Sequence, residues 1–309
     1  MDKYESRIRD LIESRYAVGH LVRCQNYPIG FINNTYKLET ADGQYALTEF
    51  LHKSSREVAI RAEVLLGLRN LPVAPPVASL TGEHVVEFDG HPAWICPWLE
   101  GASPQNQEDG SGNMSHMQRQ EAVYYFKELH RQLQVVLDES EDLNVESFVT
   151  QKLPEDGELK TTDTVQKLID ECRECCRGVL LSTEETELVH KDFERQNLLY
   201  GETRRLIGIL DFDSLRAGYT LYEWAHIMFN HVCDDANPSA EELSYYIESS
   251  PFSEMSDARA RLLALMAQFC EDDIKGFAWI AQHQRIALPA IADRYRHAFA
   301  FAKKELQGI

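Results

Sequence analysis

No apolar run in the 309-residue chain approaches the about 18 residues that a membrane-crossing helix requires. The opening residues, Met1-Asp2-Lys3-Tyr4-Glu5, are polar and lack the apolar core of a secretory signal. Both absences favour a cytosolic, cytoplasmic protein with no membrane partner. Positive charge is scarce: 31 Lys and Arg stand against 50 Asp and Glu, for a formal net charge of −19. A nucleic-acid partner is not expected, because phosphate backbones are held by clustered Lys and Arg. The acidity suits a cationic small molecule drawn to an acidic cleft, and it equally suits a solvated surface that keeps the chain soluble. Cysteines number seven, an odd count, and only Cys172, Cys175 and Cys176 cluster. That Cys-x-x-Cys-Cys run has no second ligand pair, so it reads as reduced thiols on a helix rather than a zinc site.

What is present is enough for a sizeable core. Hydrophobic residues make up 44% and charged residues 26%, and the length fits one large domain or two packed lobes. Residues 2–17 carry Ile8, Leu11 and Ile12 at helical spacing. The pattern then shortens to strands at Leu21–Cys24, Thr35–Glu39 and Tyr45–Phe50, separated by the turn signals Gly30-Phe31-Ile32-Asn33-Asn34 and Ala41-Asp42-Gly43. A helix over Arg56–Leu68 is ended by Pro72, Pro75 and Pro76. Two more strands, Val85–Phe88 and Ala93–Cys96, flank the turn Asp89-Gly90. Pro97-Trp98-Leu99-Glu100-Gly101 reads as a hinge, and the polar stretch 102–115 as a loop. Beyond it the chain turns helical, with helices expected at Gln118–Val136, Thr164–Leu180, Leu221–Cys233, Ser256–Gln282 and Pro289–Gln307. Short strands interrupt at Leu188–His190, Leu198–Tyr200 and Leu206–Leu210.

The chemistry concentrates in that interruption. His190-Lys191-Asp192-Phe193-Glu194-Arg195-Gln196-Asn197 has the form H-x-D-x-x-x-x-N, and Asp211-Phe212-Asp213 follows the third strand. Phosphoryl transfer asks little of a protein: one carboxylate to orient and deprotonate the attacking hydroxyl, and an amide oxygen and a second carboxylate to hold Mg²⁺ on the phosphates. Asp192, Asn197 and Asp211 supply these groups in that order, all with the hard oxygens Mg²⁺ prefers. The bland alternative is a set of loop acids and amides that merely cap turns.

These motifs, with Tyr222-Glu223-Trp224-Ala225 after them, resemble the aminoglycoside phosphotransferase and choline kinase family, most of all its homoserine kinase and hydroxylysine kinase branches. The resemblance extends over roughly residues 20–300 and includes Gly30 to Tyr36, Gly43 to Thr48 and Trp94 to Gly101. It implies an α+β, two-lobed, protein-kinase-like fold: a sheet-rich nucleotide-binding lobe at 1–96 and a helical lobe at 97–309 carrying the catalytic loop and substrate pocket. It implies ATP and Mg²⁺, with Asp192 as catalytic base and Asn197, Asp211 and Asp213 at the metal. Gly30, Asn33 and Asn34 would cover the phosphates, and backbone at Trp98 and Leu99 would meet the adenine. His190 would serve as a scaffold of the loop. An amine-bearing acceptor, an amino-alcohol, amino sugar or aminoglycoside, would face Asp192, with Glu223, Asp234, Asp235, Asp272 and Asp273 as possible partners of the amine.

Two departures stand out. The family often has Gly where Lys191 stands, and that lysine adds a positive charge which could lie near the phosphates. Many members carry Lys or Arg where Thr48 stands, so Lys53, Arg56 and Arg61 become candidates for gripping the nucleotide. Thr48 also supports a rival reading, a non-catalytic, nucleotide- or partner-binding pseudokinase. A protein kinase is disfavoured because no A-P-E landmark follows Asp213.

Overall fold

In the computed structural model of the chain, residues 3–27, 32–104, 113–139, 162–177, 186–283 and 287–307 are described. The chain opens with helix α1 (Lys3–Arg15) and then forms a five-stranded antiparallel sheet from β1 (Leu21–Asn26), β2 (Asn34–Thr40), β3 (Gly43–Glu49), β4 (Val86–Phe88) and β5 (His91–Pro97), in the order β1-β2-β3-β5-β4. Helix α2 (Ser55–Gly67) is inserted between β3 and β4. Strand alternation sends successive side chains to opposite faces, and β5 shows what that does here. Ala93 and Ile95 join Leu38, Leu47 and the α1 residues Ile8 and Ile12 in a small core. Trp94 and Cys96 face the other way, into the larger core that contains Val58, Ala62 and Leu65 of α2. The tight β4–β5 connection is made by Asp89 (φ 57°) and Gly90 (φ 86°), the left-handed pair that a two-residue hairpin needs.

Helix α2 is set by a capping box: the Ser54 side chain accepts from the Glu57 N–H, and Glu57 accepts from the Ser54 N–H at 2.8 Å. The helix lies close against α3 (His116–Glu139). A Cβ on Gly67 would come within 2.7 Å of Val136 Cγ2, so glycine permits the contact. The larger core runs on without a break through α3, α4 (Asp163–Cys176), α5 (Thr220–Met228), α6 (Ala240–Ser249), α7 (Ala258–His283) and α8 (Leu288–Gln307). Helix α7 packs against α4, α5 and α8. Among the described residues no helix is long and apolar enough to cross a membrane.

Two small antiparallel ribbons sit in the helical part. One pairs β6 (Glu187–Val189) with β9 (Arg216–Gly218), and the other pairs β7 (Leu198–Tyr200) with β8 (Leu206–Ile209). Gly218 lets β9 approach β6, since a Cβ there would meet Val189 Cγ2 at 2.6 Å. The H-x-D-x-x-x-x-N segment therefore runs from the end of one ribbon to the start of the other, and Asp211 to Leu215 makes the return connection. An α+β, kinase-like architecture with an antiparallel sheet followed by a helical part is what the sequence leads one to expect. Strand β9 and helix α6 were not expected.

Candidate active site

The loop from His190 to Asn197 is held almost entirely by its own backbone groups. Lys191 has φ 72°, a left-handed conformation that disfavours any residue with a Cβ, which accounts for glycine serving well at this place. Its N–H donates to Glu223 Oε1 of α5 at 2.5 Å. Glu223 is only 1% exposed, and its other oxygen lies 2.8 Å from His130 Nε2 of α3. Against the cost of burial, the His130 charge and hydrogen bond hold the Glu223 carboxyl down at about 2. Asp192 N–H donates to His190 Nδ1 at 3.2 Å, and burial lowers that imidazole to about 4, so it is a neutral acceptor. Its ring meets Phe212 edge-on at 4.6 Å. Farther along, Arg195 N–H donates to Asn230 Oδ1 at 3.1 Å, and His231 Nε2–H donates to the Phe193 carbonyl at 3.0 Å. Asn230 and His231 lie in a π-helical turn, Phe229–Cys233, that continues α5. The wider turn aims both inward, where the regular spacing of α5 would carry them past the loop.

Three carboxylates converge on this loop. Burial and the charges of Glu194, Asp213 and Asp273 push Asp192 up to about 8, opposed by the Asn197 amide. Asn197 Nδ2 also donates to the Asp192 carbonyl at 3.0 Å, fixing the amide beside Asp192. Asp211 has a left-handed backbone (φ 65°) that turns its carboxylate into the cleft. Its outer edge is open to solvent, yet the cleft walls and Asp213 raise it well above the usual carboxylate range. Asp213 is buried, but the hydrogen bond from Asp211, the Lys53 ammonium and the Asn33 amide hold it below that range. The two carboxyls are hydrogen-bonded to each other, and each shifts the other in opposite directions. Together with Asn197 they form an all-oxygen donor set with two carboxylates, which fits Mg²⁺ bound jointly by protein and phosphates. Among the described residues, no group of three or more His, Cys, Asp and Glu is arranged to hold a metal without such help.

Other expected residues are placed as follows. Asn33 Nδ2 donates to Asp213 Oδ2 at 2.7 Å, tying the turn before β2 to that acid. Asn34 Nδ2 donates to Glu49 Oε2 at 2.8 Å, and Tyr4 Oη donates to the same oxygen. Gly30 lies outside the described residues. Trp98 N–H donates to the Gln44 carbonyl at 2.9 Å, and its ring faces Tyr27 and the Lys37 ammonium. Leu99 lies against the β7–β8 ribbon, close to Gly208. Of the three candidate cations, Lys53 enters the cleft, 3.8 Å from Asp213 Oδ2. Arg61 is a buried staple instead: Nε donates to the Asp213 carbonyl at 2.9 Å and Nη2 to the Leu215 carbonyl at 3.0 Å.

The acids proposed for a substrate amine separate into two groups. Glu223 is spent on the loop, Asp235 on Arg119 at 2.6 Å, and Asp234 on Arg195 at 3.0 Å and Arg294 at 3.1 Å. The charges of Asp273 and Glu194 both act on Asp192, and sequence reasoning passed over Glu194 although it stands two residues beyond Asp192. A surface hollow of about 540 Å³ beside the start of α3, lined by Met117, Tyr124, Arg205 and their neighbours, contains none of these groups.

A family profile described as the phosphotransferase enzyme family matches residues 23–256, which is most of the chain and includes both catalytic-loop motifs. This chain belongs to the phosphotransferase enzyme family. Within that family, it is 33% identical over 91 residues to a homoserine kinase of Bartonella tribocorum and 31% identical over 93 residues to one of Methylobacillus glycogenes. Those alignments cover 28% and 29% of this chain and the same shares of the relatives, so the chain matches less than a third of either enzyme's length. The fold is shared over nearly the whole chain with a spectinomycin phosphotransferase solved with ADP and spectinomycin. The TM-score is 0.64 at 12% identity, covering 98% of both chains. An aminoglycoside phosphotransferase gives a TM-score of 0.62 at 13% identity, covering 98% of this chain and 97% of that one. The fold is therefore shared with aminoglycoside phosphotransferases over nearly the whole chain.

Proposed function

We propose that this member of the family is an ATP-dependent small-molecule kinase that phosphorylates a hydroxyl group of an amine-bearing acceptor. The observation that carries the reading is the meeting of Asp192, Asn197, Asp211 and Asp213 around one loop, with the Asn197 amide on the Asp192 carbonyl and Asn33 and Lys53 on Asp213. Asp192 takes the proton of the acceptor hydroxyl. The hydroxyl oxygen bonds to the γ-phosphorus as the bond from phosphorus to the β–γ bridging oxygen breaks, and ADP leaves. Asn197, Asp211 and Asp213 would hold Mg²⁺, which supplies positive charge against the phosphate oxygens when bound. Asn33, Asn34 and Gly30 would cover the phosphates from the sheet, and Trp98 and Leu99 would border the adenine. Lys53, whose ammonium lies 3.8 Å from Asp213, would supply the nucleotide-side cation that Thr48 lacks, which weighs against a pseudokinase.

The acceptor amine would be met by Asp273 and Glu194, two acids whose charges act on Asp192. A relative that is a homoserine kinase and fold neighbours that act on aminoglycosides are in keeping with an amine-bearing acceptor. The test is ATP consumption with mass analysis of products across amino-alcohols, amino sugars and their deaminated analogues. Acceptor-dependent ADP release with a phosphorylated amine-bearing product is expected. Equal rates for amine and deaminated acceptors would remove the amine requirement, and ATP turnover indifferent to every acceptor would remove the kinase.

A further inference from the structure

Lys191 stands where the resembling family often has glycine, and its side chain does not run toward the metal-side acids. The ammonium lies 4.8 Å from the centre of the Tyr222 ring and 5.5 Å from that of Phe269. Its electrostatic neighbours are Arg216, Asp273, Asp272 and Glu194. Each of those acids already has another partner: Asp272 accepts from Tyr222 Oη at 2.9 Å, Asp273 from Tyr295 Oη, and Glu194 Oε1 lies 2.8 Å from His226 Nε2. Among the described residues no carboxylate stands within ion-pair distance of Lys191 Nζ or of Arg216. Aromatic faces are weak hydrogen-bond acceptors, so the Lys191 ammonium keeps donor capacity for an anionic ligand. Arg216, on β9, brings a second positive charge to the same neighbourhood. Asp273 and Glu194 act on both Lys191 and Asp192, so the cation and Asp192 belong to one electrostatic cluster.

We propose that Lys191, assisted by Arg216, forms an anion subsite that binds a carboxylate of the acceptor. The acceptor is then a hydroxyl-bearing amino acid rather than a simple amino-alcohol, with its ammonium toward Asp273 and Glu194 and its hydroxyl at Asp192. This rests on the kinase reading above. Burial and the like charge of Arg216 both disfavour the ammonium form of Lys191, and a bound carboxylate relieves that cost.

The test compares matched acceptors with MgATP: homoserine against 3-aminopropan-1-ol, and serine against ethanolamine. The wild-type chain is compared with Lys191→Asn and Lys191→Gly. Both replacements tolerate the left-handed backbone, so the cation is removed without forcing a new strain. Wild type is expected to favour the carboxylate-bearing members by about thirtyfold or more in kcat/KM, the scale of one charge-assisted pair. Both variants should lose most of that preference through acceptor KM, with KM for MgATP changed by less than about twofold. Calorimetric binding of homoserine in the presence of a non-hydrolysable ATP analogue should weaken in parallel. A preference retained in the variants, or a change in KM for MgATP instead of acceptor KM, would overturn the subsite. Failure of wild type to phosphorylate any acceptor would remove the kinase reading and the subsite with it.

Discussion

Replacing Glu223 with glutamine should damage the active site from behind. The carboxylate is 1% exposed and makes two charge-assisted contacts, to the Lys191 N–H at 2.5 Å and to His130 Nε2 at 2.8 Å. Glutamine keeps the shape but weakens the first contact and sets an amide against the second. The hydrogen bond from Lys191 N–H to a charged acceptor is worth about 1.5–3 kcal/mol and the buried ion contact to His130 adds to it, so a net loss of about 3 kcal/mol is expected. A second route gives the same scale. Glu223 sits near 2 in the fold against 4.5 ordinarily, and that gap corresponds to about 3 kcal/mol. Because the folded value is depressed, this contribution is complete above about pH 4.5 and fades as the pH falls toward 2. For a chain of this size the melting temperature should drop by roughly 6 °C at neutral pH. Activity should suffer more. Without its anchor Lys191 relaxes from a conformation that costs about 1–2 kcal/mol, and Asp192 moves with it. A shift of about 1 Å at such a group costs on the order of a hundredfold in rate. The assay is a thermal melt alongside steady-state kinetics for Glu223→Gln, alone and combined with Lys191→Gly. Glycine should recover part of the lost stability, since it adopts the left-handed turn unaided. Wild-type melting and turnover in Glu223→Gln, or no recovery in the double variant, would refute the clamp.

Asp211→Ala should abolish the Mg²⁺ dependence of nucleotide binding, because one carboxylate and an amide are too few to share the ion with the phosphates. Titration calorimetry with ATP, with and without Mg²⁺, checks this, and an unchanged metal requirement would place the ion elsewhere. Lys53→Met should weaken MgATP by about tenfold, the scale of one charge-assisted contact, while acceptor KM stays nearly constant. An unchanged affinity would return the nucleotide-side cation to an open question.

The sequence disclosed most where the signal was local. His190 to Asn197 spans eight residues, and Asp211 ends an apolar strand, so both could be read without knowing what packs on them. The sheet was legible because alternation and the Asp89-Gly90 turn are short-range signals. Strand β9 was not: Arg216-Ala217-Gly218 is three residues long and exists because Gly218 lets it lie against Val189. Helix α6 was hidden in a polar stretch, with Ser239 capping it as the main cue. The supports of the catalytic loop were the least legible. Asn230 and His231 reach the loop through a π turn, a backbone event with no composition signal. Glu223 reads as an available acid, yet α5 is buried on every side, and a buried carboxylate must find partners inside. Lys191 reads as a phosphate ligand until its side chain is seen lying on two aromatic rings.

The most direct test of the account is the rate of phosphoryl transfer in Asp192→Asn. The amide keeps the side-chain shape but can no longer take the hydroxyl proton or orient it as an anion. Turnover from MgATP to the best amine-bearing acceptor should fall by about a hundredfold or more, with MgATP affinity and melting temperature close to wild type. A variant that keeps more than about half of the wild-type transfer rate would show that Asp192 is not the base, since loss of a general base typically costs 10²-fold or more.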